Sequence, residues 1–278
     1  MNYYKGLYGY MGAKGRDAIS YVQLMARKNS TGQAIERFID GCFGAGNITS
    51  ATAGLYEERI ANDYDETIAF LATMVANPDS REKTLDYYYQ LEAGEDTFNK
   101  VKTSLEKSIF SNDYEKAAYI WYLFLFSYDG MRNHYSHKHD FAKNPMDCRL
   151  PYLETFDKIV VTEQDIVTLI ENEKKNRDRL EKTMIFLDPP YLGNQCGYKN
   201  NMSKEFDQTR LLKALDGIPY CMICNFDNEL YDSILVNKYH WYKYNMSEKA
   251  VVMGKKKSGF AERKPEVIWT SYDVFKTI

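Results

Sequence analysis

Four short apolar runs, separated by stretches with helical spacing, constrain this chain more than any other feature. The runs are Phe38–Asp40, Lys158–Val161, Met184–Leu187 and Tyr220–Cys224. Each has strand length and is continuous rather than alternating, the pattern of strands covered on both faces. Arg59–Ala61, Trp241–Asn245 and Glu266–Thr270 are weaker strand candidates. Between them, Asp65–Ala76 carries Ile68, Leu71, Ala72 and Val75 at helical intervals, and Gln164–Leu180 carries Ile166, Leu169 and Ile170. Shorter helices are expected over Gln208–Leu215 and Asn228–Val236. Strands alternating with helices predict an α/β fold with a mostly parallel sheet. Residues 78–152 break the rhythm: they are rich in Tyr, Lys and Glu, with a helical pattern over Tyr114–Phe126. They read as a mainly helical insert between the second and third strands, leaving 1–77 and 153–278 as the main domain.

At 278 residues and 44% hydrophobic, the chain can bury one large core. Its formal net charge of −3 argues against a uniformly basic, nucleic-acid-binding surface. The balance is local, however: Lys255, Lys256, Lys257, Arg263 and Lys264 stand against the single acid Glu262 between Val251 and Lys264. That run is either a solvated turn or a contact to a nucleic-acid backbone, through Lys255 and Lys256 in particular. Five cysteines, an odd number, and no opening signal segment predict a reduced, cytoplasmic protein. Cys221 and Cys224 sit in a strand-like run, where their side chains point to opposite faces as core rather than to a shared zinc. His134, His137 and His139 lack a fourth ligand and read as a solvated loop, so no metal is expected. No apolar run is long enough to span a bilayer.

The strongest short motif is Asp188-Pro189-Pro190-Tyr191, directly after the run Met184–Leu187. Open α/β sheets bind ligands at the carboxyl ends of their strands. There, the Asp188 carboxylate can accept one proton of an exocyclic amine and the Pro189 carbonyl the other. The two prolines fix the backbone that carries that carbonyl. Two acceptors on one amine draw its lone pair out of conjugation and aim it at a methyl donor, while Tyr191 offers a face for an extruded base. A second motif, Phe38–Gly46, runs strand, glycine turn, helix, with Gly44 and Gly46 allowing close backbone approach to a ligand. It is equally a structural turn, since the full dinucleotide spacing is missing. The third, Ala61-Asn62-Asp63-Tyr64-Asp65, puts an acid at the end of the second strand, where ribose hydroxyls are commonly held; alone it would be a helix cap.

In this order the motifs resemble the Dam-like adenine-specific DNA methyltransferases, the alpha group of S-adenosylmethionine-dependent amino-methyltransferases, over nearly the whole chain. Tyr10-Met11-Gly12-Ala13-Lys14 looks like the family's Y-x-G-G-K, with Ala13 in place of the second glycine. Phe38–Gly46 looks like F-x-E-P-F-x-G-S-G, with Asp40 for Glu and Gly41 for Pro, and Asn62-Asp63 matches the N-D pair. Tyr128-Asp129-Gly130-Met131-Arg132 is similar to F-N-G-x-x-R, which opens the DNA-contacting hairpin, whereas R-Y-N-x-x-G-x-F-N-x-P is poorly preserved around Asn133–Pro145. Asp165 falls where the family has an acid near the cofactor's adenine, and Asp188–Tyr191 matches D-P-P-Y without departure. Phe206-Asp207-Gln208 with Leu211 loosely resembles F-x-x-x-D-Q-x-x-L, and Lys264–Tyr272 the closing strand.

The resemblance implies a seven-stranded, mostly parallel, Rossmann-like methyltransferase sheet with one antiparallel strand, and a target-recognition role for the insert. It implies S-adenosylmethionine as methyl donor and S-adenosylhomocysteine as product. Tyr10 and Lys14 would line the cofactor; Asp40, Gly44 and Gly46 would hold its methionine part, Asp63 its ribose and Asp165 its adenine. Asp188, Pro189, Pro190 and Tyr191 would receive an adenine flipped out of double-stranded DNA. Tyr128, Arg132, Lys255 and Lys256 would meet that DNA, although Arg132 could instead pair with Asp129 or another local acid and hold its loop. The family admits a cognate restriction endonuclease and a monomeric or weakly dimeric state. RNA or free nucleoside as substrate, or a catalytically silent DNA-binding relative, are the alternatives. The intact D-P-P-Y and the paired cofactor acids speak against the last.

Overall fold

The computed structural model describes residues 4–9, 13–15, 17–139, 143–192, 206–255 and 261–276. Seven strands, β1 (Arg37–Asp40), β2 (Glu58–Asn62), β3 (Val160–Thr162), β4 (Thr183–Leu187), β5 (Cys221–Phe226), β6 (Tyr242–Lys255) and β7 (Ala261–Thr270), lie in the order β3-β2-β1-β4-β5-β7-β6. β1 with β4, β4 with β5, and β2 with β3 are parallel. β7 pairs antiparallel with both β5 and β6. This is the mostly parallel, seven-stranded sheet with one antiparallel strand that the resemblance implies. Three of the four continuous apolar runs mark its middle, with every residue of β1, β4 and β5 buried; the fourth, over Lys158–Val161, is instead the edge strand β3, at most half-buried, and β2 opens on an exposed residue.

The helices are α1 (Ala18–Leu24), α2 (Asn47–Ala51), α3 (Glu66–Ala76), α4 (Pro78–Tyr88), α5 (Glu95–Glu106), α6 (Asp113–Phe126), α7 (Ile166–Lys174), α8 (Arg177–Leu180) and α9 (Gln208–Ala214). Three differ from expectation. α1 precedes the first strand, where the sequence pattern predicts no helix. The single helix expected over Gln164–Leu180 is two, because the Asn176 side chain accepts from the Arg179 N–H and starts a new helix there. The helix expected over Asn228–Val236 begins as Glu229–Tyr231 and continues as a π-helical turn, Asp232–Val236. The strand expected over Trp241–Asn245 extends to Lys255, pairing with β7 through two register irregularities.

The chain forms two compact units, residues 1–22 with 43–163, and residues 23–42 with 164–278. In the first, α3 and the three helices after it share one apolar core. Leu71, Ala72 and Val75 of α3 lie in it with Tyr88, Phe98, Ala117, Trp121 and Phe124. The Trp121 indole N–H donates to the Leu7 carbonyl at 2.7 Å, tying α6 to the N-terminal segment. In the second, β4 and β5 are buried along with Leu211 and Leu212 of α9.

Candidate functional site

In the first unit the turn after β1 meets the end of β2. The Phe43 N–H donates to the Asn62 carbonyl at 2.9 Å and the Gly44 N–H to Asp63 Oδ2 at 2.8 Å. Asp63 Oδ1 accepts from the Asp65 N–H at 2.9 Å. Asp63 is half-buried, and burial pushes its carboxyl up to about 6 against the pull of these N–H donors. Gly44 and Gly46 have φ of 52° and 76°, which glycine adopts without strain. A Cβ on Gly46 would come within 2.5 Å of the Phe43 ring and 2.7 Å of Phe156, so backbone and rings both require glycine there. Asp65 caps α3 by accepting from Thr67 N–H at 2.8 Å. The sequence pieces Gly44 and Asp63, nineteen residues apart, are thus in direct contact.

In the second unit, Asp188–Tyr191 follows β4 at its carboxyl end, and the turn is clamped by a buried polar network. Gln208 donates from Nε2 to the Pro190 carbonyl at 2.6 Å and accepts at Oε1 from the Tyr231 hydroxyl, also at 2.6 Å. Asn225 donates to the Tyr231 hydroxyl oxygen at 2.9 Å and accepts from the Leu192 N–H at 3.2 Å. Tyr191 donates its hydroxyl to buried Glu266 and sets its ring edge-on to Phe226, centroids 4.9 Å apart. Burial drives the Tyr231 hydroxyl far above its ordinary range, so it stays protonated and able to donate to Gln208. Asp188 itself is half-buried. None of Gln208, Asn225, Tyr231 or Glu266 is assigned a role by sequence reasoning. The D-Q pattern points at Gln208 but not at what it holds.

The other expected site residues fall as follows. Asp40 ends β1 and is buried. Asp165 caps α7, accepting from the Thr168 N–H at 3.1 Å, and also accepts from Arg210 at 3.0 Å. Lys14 is buried beside the Tyr21 ring. Tyr128 is 64% exposed in a short turn after α6. Arg132 is only 9% exposed; its guanidinium donates to Asp65 at 2.9 Å and lies 4.6 Å over the Phe124 ring. The arrangement present is therefore a pair with an acid, from another segment rather than from the same loop. Lys255 is the last residue of β6, and Tyr10 and Lys256 lie outside the described residues. Among the described residues, no group of three or more His, Cys, Asp or Glu side chains could hold a metal ion, and no helix is long and apolar enough to cross a membrane. Cys221 and Cys224 are buried thiols of β5, and burial pushes the Cys221 thiol up.

An open sheet in this order, with one antiparallel strand beside β5 and Asp-Pro-Pro-Tyr leaving β4, is a Rossmann-like methyltransferase fold. Residues 10–250 match the D12 class of N6 adenine-specific DNA methyltransferases, and the chain belongs to that family. It is thus an enzyme of the adenine-specific DNA methyltransferase type, and the family implies S-adenosylmethionine as methyl donor and DNA as substrate. A comparison with curated proteins finds no match. Among solved structures, an rRNA methylase from Streptococcus thermophilus aligns over 94% of this chain and 97% of its own, at 9% identity and a TM-score of 0.31.

Proposed function

We propose that this chain methylates the exocyclic amine of an adenine extruded from duplex DNA, with Asp188 and the Pro189 carbonyl as the two amine acceptors. The observation that carries the reading is the clamped Asp188–Tyr191 turn at the carboxyl end of β4, its Pro190 carbonyl held by buried Gln208. A carbonyl can aim an amine only if its peptide is immobile, and two prolines with a hydrogen-bonded clamp supply that. Extrusion costs a few kcal/mol of unstacking, which a face on Tyr191 offsets in part. Asp188, as a carboxylate, also offsets the positive charge that develops on the amine nitrogen.

The residues of the first unit suit a nucleoside cofactor by the chemistry of their donor set. Asp63 accepts one backbone N–H at each oxygen and, when ionised, retains lone pairs for ribose hydroxyls. In the turn, Gly46 is buried against the Phe43 and Phe156 rings and Gly44 is the partly exposed glycine, so Gly44 and Lys14 join Asp63 in the proposed set. S-adenosylmethionine, when bound, supplies an electrophilic methyl group on a sulfonium centre. The segment 78–152, which includes α4, α5 and α6, is proposed to read the target, with Tyr128, Lys255 and Lys256 toward DNA.

The test is methyl transfer from labelled S-adenosylmethionine to duplex DNA, with RNA and free adenosine as parallel arms, and mass spectrometry of the digested product. N6-methyladenine from the DNA arm is expected. Transfer confined to RNA or adenosine, or none at all, would refute the reading.

Asp63 adds a pH dependence. Its folded pKa is raised, so its neutral form is favoured by folding; that stabilisation is present below about pH 4 and is lost as pH rises through about 6. Hydroxyl acceptance needs the ionised form, so S-adenosylhomocysteine affinity should rise up to about tenfold per pH unit below pH 6 and level off above about pH 7. Calorimetry from pH 5 to 8 should give this profile for the wild type and a flat one for Asp63→Asn. A wild-type profile without the acidic limb would remove Asp63 from the cofactor.

A further inference from the structure

Arg132 belongs to a closed ring of contacts inside the first unit. Its guanidinium donates to Asp65 Oδ2, and the Asp65 N–H donates to Asp63 Oδ1. Asp63 Oδ2 accepts from the Gly44 N–H, and the Gly44 carbonyl accepts from the Tyr8 hydroxyl at 2.7 Å. The Tyr8 ring stacks on Phe124 with centroids 3.8 Å apart and planes 10° apart, and Arg132 covers the other partner of that contact by lying over Phe124. The ring joins the N-terminal segment, the turn after β1, the start of α3, α6 and the turn after α6. Arg132 holds its place at a cost: its φ is +60°, which disfavours a residue with a side chain, and its N–H donates to Ser127 Oγ at 3.1 Å. A buried guanidinium in a strained backbone is an expensive way to fill space. Its charge has a specific use against Asp65, a half-buried carboxylate two residues from Asp63.

We propose that Arg132 is a positioning residue for the cofactor site, neutralising Asp65 and, through the ring, holding the Asp63 carboxyl on the Gly44 turn. This rests on the assignment of Asp63 to the cofactor ribose. It gives the turn after α6, which the family resemblance gives to DNA, a second duty that is exercised with no DNA present. Among the described residues, the charged group that acts on Asp63 is Asp65, which Arg132 pairs. Without Arg132, the Asp65 charge acts on Asp63 unopposed and makes it harder to ionise.

The experiment is calorimetric titration of S-adenosylhomocysteine into DNA-free wild type, Arg132→Met, Arg132→Lys, Asp65→Asn and Asp63→Ala from pH 5 to 8. Thermal melting accompanies each, to establish that the titrated protein is folded. Arg132→Met should bind about five- to tenfold more weakly, with the midpoint of its pH profile displaced upward, and Arg132→Lys should recover part of both. Asp65→Asn should displace the midpoint downward, and it carries the test with Arg132→Lys if Arg132→Met does not fold. Wild-type affinity and midpoint in the Arg132 and Asp65 variants, alongside lost binding in Asp63→Ala, would overturn the role of Arg132 and leave the ribose assignment standing. Wild-type binding by Asp63→Ala would overturn that assignment itself. A merely structural Arg132 would lower the melting temperature without moving the pH midpoint.

Discussion

Asp188→Ala should lower kcat for adenine methylation by about a thousandfold or more, the scale of losing a group that acts on the reacting atoms. S-adenosylhomocysteine affinity and the melting temperature should change little, because Asp188 is only half-buried and its proposed partner is the substrate amine. The loss should therefore stand in turnover rather than in binding. Single-turnover rates with saturating DNA isolate the step. A variant that keeps turnover within a few-fold of wild type would remove Asp188 from the chemistry and leave the clamped turn as a purely structural device. Gln208 provides the internal comparison: it touches the Pro190 carbonyl and not the amine, so its loss should be the smaller of the two.

The second large effect is on stability. Arg37 at the start of β1 and Glu173 in α7 form a buried, two-pronged pair, with side chains 7% and 6% exposed. Arg179 approaches the same carboxylate at 3.4 Å. Glu173→Ala leaves the Arg37 guanidinium buried without its acid and should destabilise the fold by about 3–5 kcal/mol. The double variant Arg37→Met with Glu173→Leu, which removes both charges and keeps the volume, should recover most of that. Urea unfolding of the three proteins measures it directly. A single-variant loss below about 1 kcal/mol would mean that water reaches the pair and screens it. The pair joins the strand that ends in Asp40 to the helix that Asp165 caps.

What the sequence reveals follows from how local the signal is. β1, β4 and β5 are legible as continuous apolar runs because both of their faces are covered, and Asp188–Tyr191 is legible because its four residues are contiguous. Gly44 and Asp63 are findable as separate pieces, each with an ordinary structural explanation, and their contact emerges only where the Gly44 N–H reaches the carboxylate. The Arg132–Asp65 pair spans 67 residues, and nothing in the pattern around Arg132 distinguishes an acid from a phosphate as its partner. The clamp through Gln208, Asn225 and Tyr231 draws on α9, β5 and the helical turn after it, so no spacing rule announces it. The break between α7 and α8 turns on one side chain, Asn176, capping within an otherwise helical pattern.

The interleaving of the two units has a consequence for how the chain is made. Residues 23–42 leave the ribosome well before residues 164–278, yet β1 pairs with β4, and the contact of Arg37 with Thr183 closes over 146 residues. Closing a loop of that length costs about 4 kcal/mol of chain entropy before any pairing is gained. At about 5–20 residues per second, β1 waits about 7–30 s for its partner, while the intervening helices of the first unit can already assemble on α3. During that interval the β4 side of β1 is unpaired. A nascent chain stalled short of β4 is therefore the species in which chaperones and self-association compete for the strand that later ends in Asp40.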